Sequence, residues 1–336
     1  MTGVQTCALP ISLPWVEEML DIAEAKGDAD LLITGHMCAC GGYSWAGEFT
    51  KVLEHSENVL DLYDAEKHYY LADLIYADPK TQAAAYGSIS AWLLGYPDRA
   101  LRLGHEKDAH ARRRGHSMDL GFALVMGTHS FDHRFTHEDL RKRAEECERL
   151  GRENSLPVLW ALFAPNLYGQ ALIREGKVAE AIAPLRAGIA AWEASGGKMS
   201  GPGINARVAE AMALTGDLDN ALQLLDEAII QIERPGWEER LYYAEILRLK
   251  GWMLSLKGDP EGAERNFLAS LDWARRQQAK MWELRTSTSL ARLWQSQGKR
   301  QDAYELLAPV YGWFTEGFDT KDLLDAKALL DELATN

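Results

Sequence analysis

Seven times along the chain the same spacing of side chains returns. A small residue is followed three places on by a larger one, four further by glycine, five beyond that by a small residue, and four later by an apolar one. The clearest copies are Gly169, Leu172, Gly176, Ala181, Leu185; Ala209, Met212, Gly216, Ala221, Leu225; Gly251, Leu254, Gly258, Ala263, Phe267; and Ala291, Trp294, Gly298, Ala303, Leu307. Cys40, Tyr43, Gly47, Val52, Ser56 and Ser88, Ala91, Gly95, Ala100, Gly104 are looser, and Thr128, Phe131, Phe135, Leu140, Ala144 has lost its glycine. The fourth-position residues fall at 52, 100, 140, 181, 221, 263 and 303, so the intervals are 40 to 42 apart from one of 48. Each unit is predicted to be a pair of antiparallel amphipathic helices. The small residues mark where the two helices cross closely, and the glycine supplies the left-handed turn between them. Asp217 and Asp259 are placed to cap second helices, with Pro260 in a first turn.

This is the signature of tetratricopeptide-like repeats, stretched beyond 34 residues by longer loops. It predicts an all-α, right-handed helical-repeat solenoid of about seven helix pairs. Val16, Leu20 and Ala23 match second-helix positions with no partner before them, which predicts an orphan N-terminal helix. Thr320 to Leu333 predicts a C-terminal cap helix, with Leu323, Leu324, Ala326, Leu330 and Leu333 available for burial. Gly196-Gly197 with Gly201-Pro202-Gly203, and Arg234-Pro235-Gly236, are expected to be loops between units. Pro184 falls inside a predicted second helix, where it removes a backbone donor.

Met1 to Ile11 stand apart from this pattern. They resemble, codon for codon, the translation of a common sequencing-adapter oligonucleotide with GTG as its start. Residues 1–11 are therefore set aside as adapter-derived. Residues 12–336 are read as a repeat array truncated at its N-terminus.

Charge narrows the partners. Asp and Glu number 50 against 36 Lys and Arg, a net charge of −14. That argues against a surface for nucleic acid or anionic membrane. No apolar stretch approaches the ~18 residues of a membrane helix. Four cysteines (Cys7, Cys38, Cys40, Cys147) form no disulfide framework, which suits a cytoplasmic setting.

Catalytic motifs are missing. There is no phosphate-binding Gly-x-x-x-x-Gly-Lys-Ser/Thr loop, no Gly-x-Ser-x-Gly and no His-Glu-x-x-His. Cys40 occupies a helix-crossing position and reads as a buried thiol, not a ligand. His129, His133 and His137 recur every fourth residue beside Asp132. On one helix, the first two would share a face suited to zinc, but groove-lining histidines are the simpler reading. Arg112-Arg113-Arg114 reads as a solvated helix end. No cofactor is expected.

The C-terminal third carries a family resemblance. Ala244 to Gly251, Ala263 to Phe267, Ala291 to Trp294, Leu306 to Thr320 (with its Phe-Thr-Glu-Gly-Phe-Asp run) and Ala326 to Leu333 resemble the C-terminal repeat region of bacterial class III adenylate or guanylate cyclase–STAND ATPase signalling proteins. Leu94 to Leu101 and Gly47 to His55 resemble earlier repeats of that family. The resemblance implies a non-catalytic sensor array that binds a protein or peptide, or the parent's own ATPase or cyclase domains. No catalytic residue of the family carries over. A free-standing repeat scaffold and the repeat region of a STAND-type transcriptional regulator are the alternatives.

In such repeats the concave face is lined by first-helix residues three before, one after and four or five after the crossing residue. That phase selects His129, Asp132 and His133; Asn166, Gln170 and Arg174; Arg248 and Trp252; and Thr288, Arg292 and Gln295, with Arg285 at the edge and Glu210 as a dissenting charge. Arginines and amides gathered on one face of an acidic protein suit an acidic partner.

Overall fold

The computed structural model describes residues 13–75, 78–127, 132–194, 196, 200–237 and 239–335, and among these it is helical with no strand. Seven helix pairs follow one another. They are α2 (Ala29–Ala46) with α3 (Phe49–Leu62), α6 (Pro79–Leu93) with α7 (Pro97–Arg114), α8 (Ser117–Val125) with α9 (His137–Glu153), α10 (Ala164–Arg174) with α11 (Val178–Ala194), α12 (Gly201–Leu214) with α13 (Leu218–Glu233), α14 (Tyr243–Lys257) with α15 (Pro260–Arg276), and α16 (Lys280–Ser296) with α17 (Arg300–Tyr311). A leading helix α1 (Leu13–Lys26) and a closing helix α18 (Lys321–Ala334) flank them, as expected. The adapter-like residues 1–11 lie outside the described residues.

The repeat spacing is borne out as packing. Six turn glycines (47, 95, 176, 216, 258 and 298) all have positive φ, between 80° and 96°. At the crossings, any side chain on Gly169 would run into Leu185, and any on Gly251 into Phe267 and the Ala263 carbonyl. Ala181, Ala221, Ala263 and Ala303 are fully buried. The 48-residue interval holds two short insert helices, α4 (Ala65–His68) and α5 (Leu71–Ile75). Tyr63, Asp78, His110, Asp119 and Arg114 form a buried, mutually bonded polar cluster that ties this insert region to the second and third units. Cys40 is buried with its thiol 3.7 Å from the Val52 carbonyl, and burial pushes that thiol well above its ordinary pKa.

Several expectations are corrected. The first helix of unit three stops at Val125, short of His129 and His133. Lys107 from α7 donates to the Ala123 and Met126 carbonyls, and Arg143 from α9 donates to the Leu124 carbonyl, so two cations satisfy that helix end. Gly201-Pro202-Gly203 is the first turn of α12, not loop, with Pro202 where no backbone donor is needed. Asp217 makes no backbone cap and is held by Asn220, whereas Asp259 caps Gly262 at 2.8 Å. Helix α11 runs through Pro184 without a break. Arg114 is not solvated: its side chain is paired with Asp119 at 3.0 Å. In α18, Leu324 is 54% exposed and Leu329 takes the buried place, together with Leu323, Ala326, Leu330 and Leu333.

The array bends far enough for its ends to meet. One continuous apolar cluster joins Trp45, Phe49, Trp92 and Leu93 of the first two units to Leu241, Met281, Trp282, Phe314 and Leu323 of the last. Trp92 and Trp282 meet edge to face, ring centres 5.5 Å apart. The Arg240 backbone N–H donates to the Trp45 carbonyl at 2.6 Å. Glu316 accepts from the Asp98 and Arg99 backbone amides, completing the N-terminus of α7 from 218 residues away. Arg134 spans Asp98 and Asp319.

Candidate cavity on the inner wall

Closure turns the expected open groove into the wall of a cavity of about 370 Å³, within the range of small-ligand sites. Helices α10, α12, α14 and α16 contribute successive side chains because each presents the same face of its repeat. The cap helix α18 adds Lys321, Asp322 and Asp325.

Seven of the ten predicted residues line it: His133, Gln170, Arg174, Arg248, Arg285, Thr288 and Arg292. Three do not. His129 lies outside the described residues. Asn166 is not in the lining, and its Oδ1 accepts from Gln170 and from Arg207, which are. Trp252 has the right phase, yet its ring packs against the apolar clusters on either side of unit six. A large indole gains more from apolar neighbours than from a charged cavity. His133 enters from the turn at 132–135 rather than from a helix, so it does not offer the helical face weighed for zinc. No cluster of three or more His, Cys, Asp or Glu is placed for a metal among the described residues. Asp132 is buried against Arg134, and Gln295 reaches Glu332 outside the wall. Glu210, the dissenting charge, is in the lining.

The phase rule missed Arg207, Tyr242, Glu245 and Trp282. Glu245 stands six before Gly251, as Arg285 stands six before Ala291, so extending the register to that position would have found it. The α18 residues carry no repeat register and left no such signal.

Six cations and four carboxylates face the cavity. Some neutralise one another. Arg248 clasps Glu245 through two bonds of 2.8 Å. Arg285 binds Asp322 at 2.6 and 3.0 Å, approaches Glu245 at 3.5 Å, and stacks between Trp92 and Trp282, 4.8 and 5.1 Å from their ring centres. Burial opposes both guanidinium charges, but Glu245 and Asp322 outweigh it and hold both pKa values above the ordinary value. Lys321 pairs with Asp325.

The remaining wall groups differ in their partners. Arg174 donates to the Asp132 carbonyl at 3.1 Å and to the Phe135 carbonyl, and burial lowers its pKa to about 10. Arg207 contacts only the Asn166 amide oxygen, the Tyr242 hydroxyl and the Tyr242 ring among the described residues. Arg292 is exposed at the cavity edge. Burial, then Arg174 and Arg285, push His133 down to about 4, so at neutral pH it is an uncharged wall group. Burial raises Glu210, with Arg248 pulling against it.

No family model matches the sequence, and no curated protein shows significant similarity to it. Among the described residues, no helix is long and apolar enough to cross a membrane.

Proposed function

We propose that the chain is a non-catalytic regulatory array that binds an acidic protein or peptide segment through this inner wall. The observation that supports the reading is the concentration of guanidinium groups along one half-open cavity of a chain whose net charge is −14. Planar guanidinium forks in a partly desolvated site favour carboxylate or phosphate groups. A cavity of about 370 Å³ admits the end of an extended chain, not a folded domain. The sequence resemblance supports a cyclase–STAND ATPase parent, whose own modules are then the natural source of the segment. In that setting the array is cytoplasmic, and neither nucleic acid nor membrane is its partner.

Binding of a fluorescent, glutamate-rich octapeptide, followed by anisotropy at rising salt, tests the reading. The peptide should bind and weaken as salt rises. An Arg207→Ala, Arg292→Ala variant should bind at least about tenfold worse, a loss of ~1.4 kcal/mol, while remaining folded by circular dichroism. Unchanged affinity in the folded variant would exclude this wall as the contact.

A further inference from the structure

The cavity is unsatisfied in two opposite senses at once. Its surplus of donors is plain at Arg207, which can only donate and meets only neutral acceptors. Its surplus of acceptors is less obvious and follows from the same contact. Because Arg207 only donates, the Asn166 atom it meets must be oxygen. That oxygen also receives Gln170, so Gln170 must present its amide nitrogen there, and its Oε1 is turned away. Gln170 is 5% exposed, and this Oε1 is buried without a hydrogen-bond partner. A buried acceptor left without a donor is costly unless something donates to it. Glu210, one turn of α12 from Arg207, faces the same cavity with no hydrogen bond or ion pair of its own among the described residues. An acidic ligand alone satisfies the arginine and leaves Gln170 and Glu210 worse off, since like charge is brought towards Glu210.

Resting on the reading that this wall binds an anionic ligand, we propose that the ligand is zwitterionic, a free amino acid or a short peptide. Its carboxylate takes Arg207, and its ammonium takes Gln170 Oε1 and Glu210. The cavity volume fits a ligand of that size. An arriving ammonium also removes the cost of keeping a carboxylate in this half-buried place. Arg292 and Lys321, both exposed, stand at the cavity edge, where they steer the anionic end inward.

Calorimetric titration of the full chain with each of the twenty L-amino acids and a set of dipeptides tests this, each compared with its desamino counterpart (glutarate for glutamate, succinate for aspartate, propionate for alanine). At least one zwitterion should bind about tenfold or more tightly than its counterpart, the worth of one charge-assisted hydrogen bond. Glu210→Gln should erase that advantage while the chain stays folded by circular dichroism, because Glu210 makes no hydrogen bond or ion pair among the described residues. A counterpart that binds as tightly as its amino acid overturns the zwitterion and leaves the anion-binding reading standing. Failure of every amino acid and dipeptide to bind, with the acidic octapeptide still bound, also overturns it. Failure of the octapeptide as well removes both.

Discussion

Arg285 offers the sharpest test of what holds the closed array together. Its guanidinium is clamped by Asp322 of α18, lies near Glu245 of α14, and is sandwiched between Trp92 of unit two and Trp282 of its own helix. Four parts of the chain therefore converge on one side chain. Replacing it by leucine leaves Asp322 and Glu245, whose side chains are 15% and 12% exposed, facing each other's field without their shared counter-charge. Removing one partner of a buried pair costs about 3–5 kcal/mol. Arg248 still covers Glu245, which argues for the lower end, while loss of the stack on two indoles adds ~1 kcal/mol. Arg285→Leu should thus cost about 3–4 kcal/mol in urea unfolding. Asp322→Leu alone should also destabilise. The double variant should lose clearly less than the sum, because two apolar groups can replace a buried pair. A cost below ~1 kcal/mol for Arg285→Leu, with additive effects in the cycle, would refute the view that this ion pair locks the ends.

Ala263→Leu should overpack the crossing with Gly251 and cost about 1–3 kcal/mol, whereas Lys257→Leu, which loses only an exposed ion pair with Asp219, should cost less than about 1 kcal/mol by thermal melting. Glu239 is buried and its pKa is raised to about 8 by desolvation, so the folded state holds its proton more tightly than the unfolded chain does. Stability should therefore fall from pH ~4.5 to 8 by up to about 1.4 kcal/mol per unit. Glu239→Gln, measured in urea across that range, should abolish this fall. His133, held down at about 4, should stay neutral in an NMR titration to pH 5, and the stability it contributes should be lost only as pH drops from its unfolded value near 6.5 through 4.

The helix pairs were legible because each one is a local event. A glycine that must adopt positive φ and two small residues that must touch lie within about a dozen residues of each other, so their spacing carries the fold directly. The inner wall was legible for a related reason: a repeat that always buries the same stripe always presents the same opposite stripe, and five helix residues chosen by that phase (Gln170, Arg174, Arg248, Thr288 and Arg292) line the cavity. Where phase failed, a stronger local preference intervened. Trp252 has the register of the wall and the chemistry of the core, and the chemistry prevailed. Unit three loses its register where Lys107, one of several cations on the basic helix α7, is turned inward to hold the carbonyl end of α8.

Closure of the array is the part that no repeat spacing contains. Each unit specifies only its neighbour, and the bend that brings the ends together is the sum of small rotations at every junction, none of which is written as a residue type. What the sequence does hold are the groups that meet once the ends arrive, and out of that context they look ordinary. Glu316 reads as a polar residue in a loop until it caps α7, and Gly317, with φ +73° and no room for a side chain against Pro97, reads as any turn glycine. If the wall binds as proposed, these contacts also limit what it can take. An open concave face tolerates a partner of any length, whereas a face closed by Glu316, Arg134 and the Trp92–Trp282 contact admits only what its cavity can hold. Under the proposed binding role the ion pairs that close the array act through size, and Arg207 and Arg292, which meet no carboxylate among the described residues, act through charge. A loss of affinity in an Arg285 variant is to be traced to the first, and in an Arg207 variant to the second.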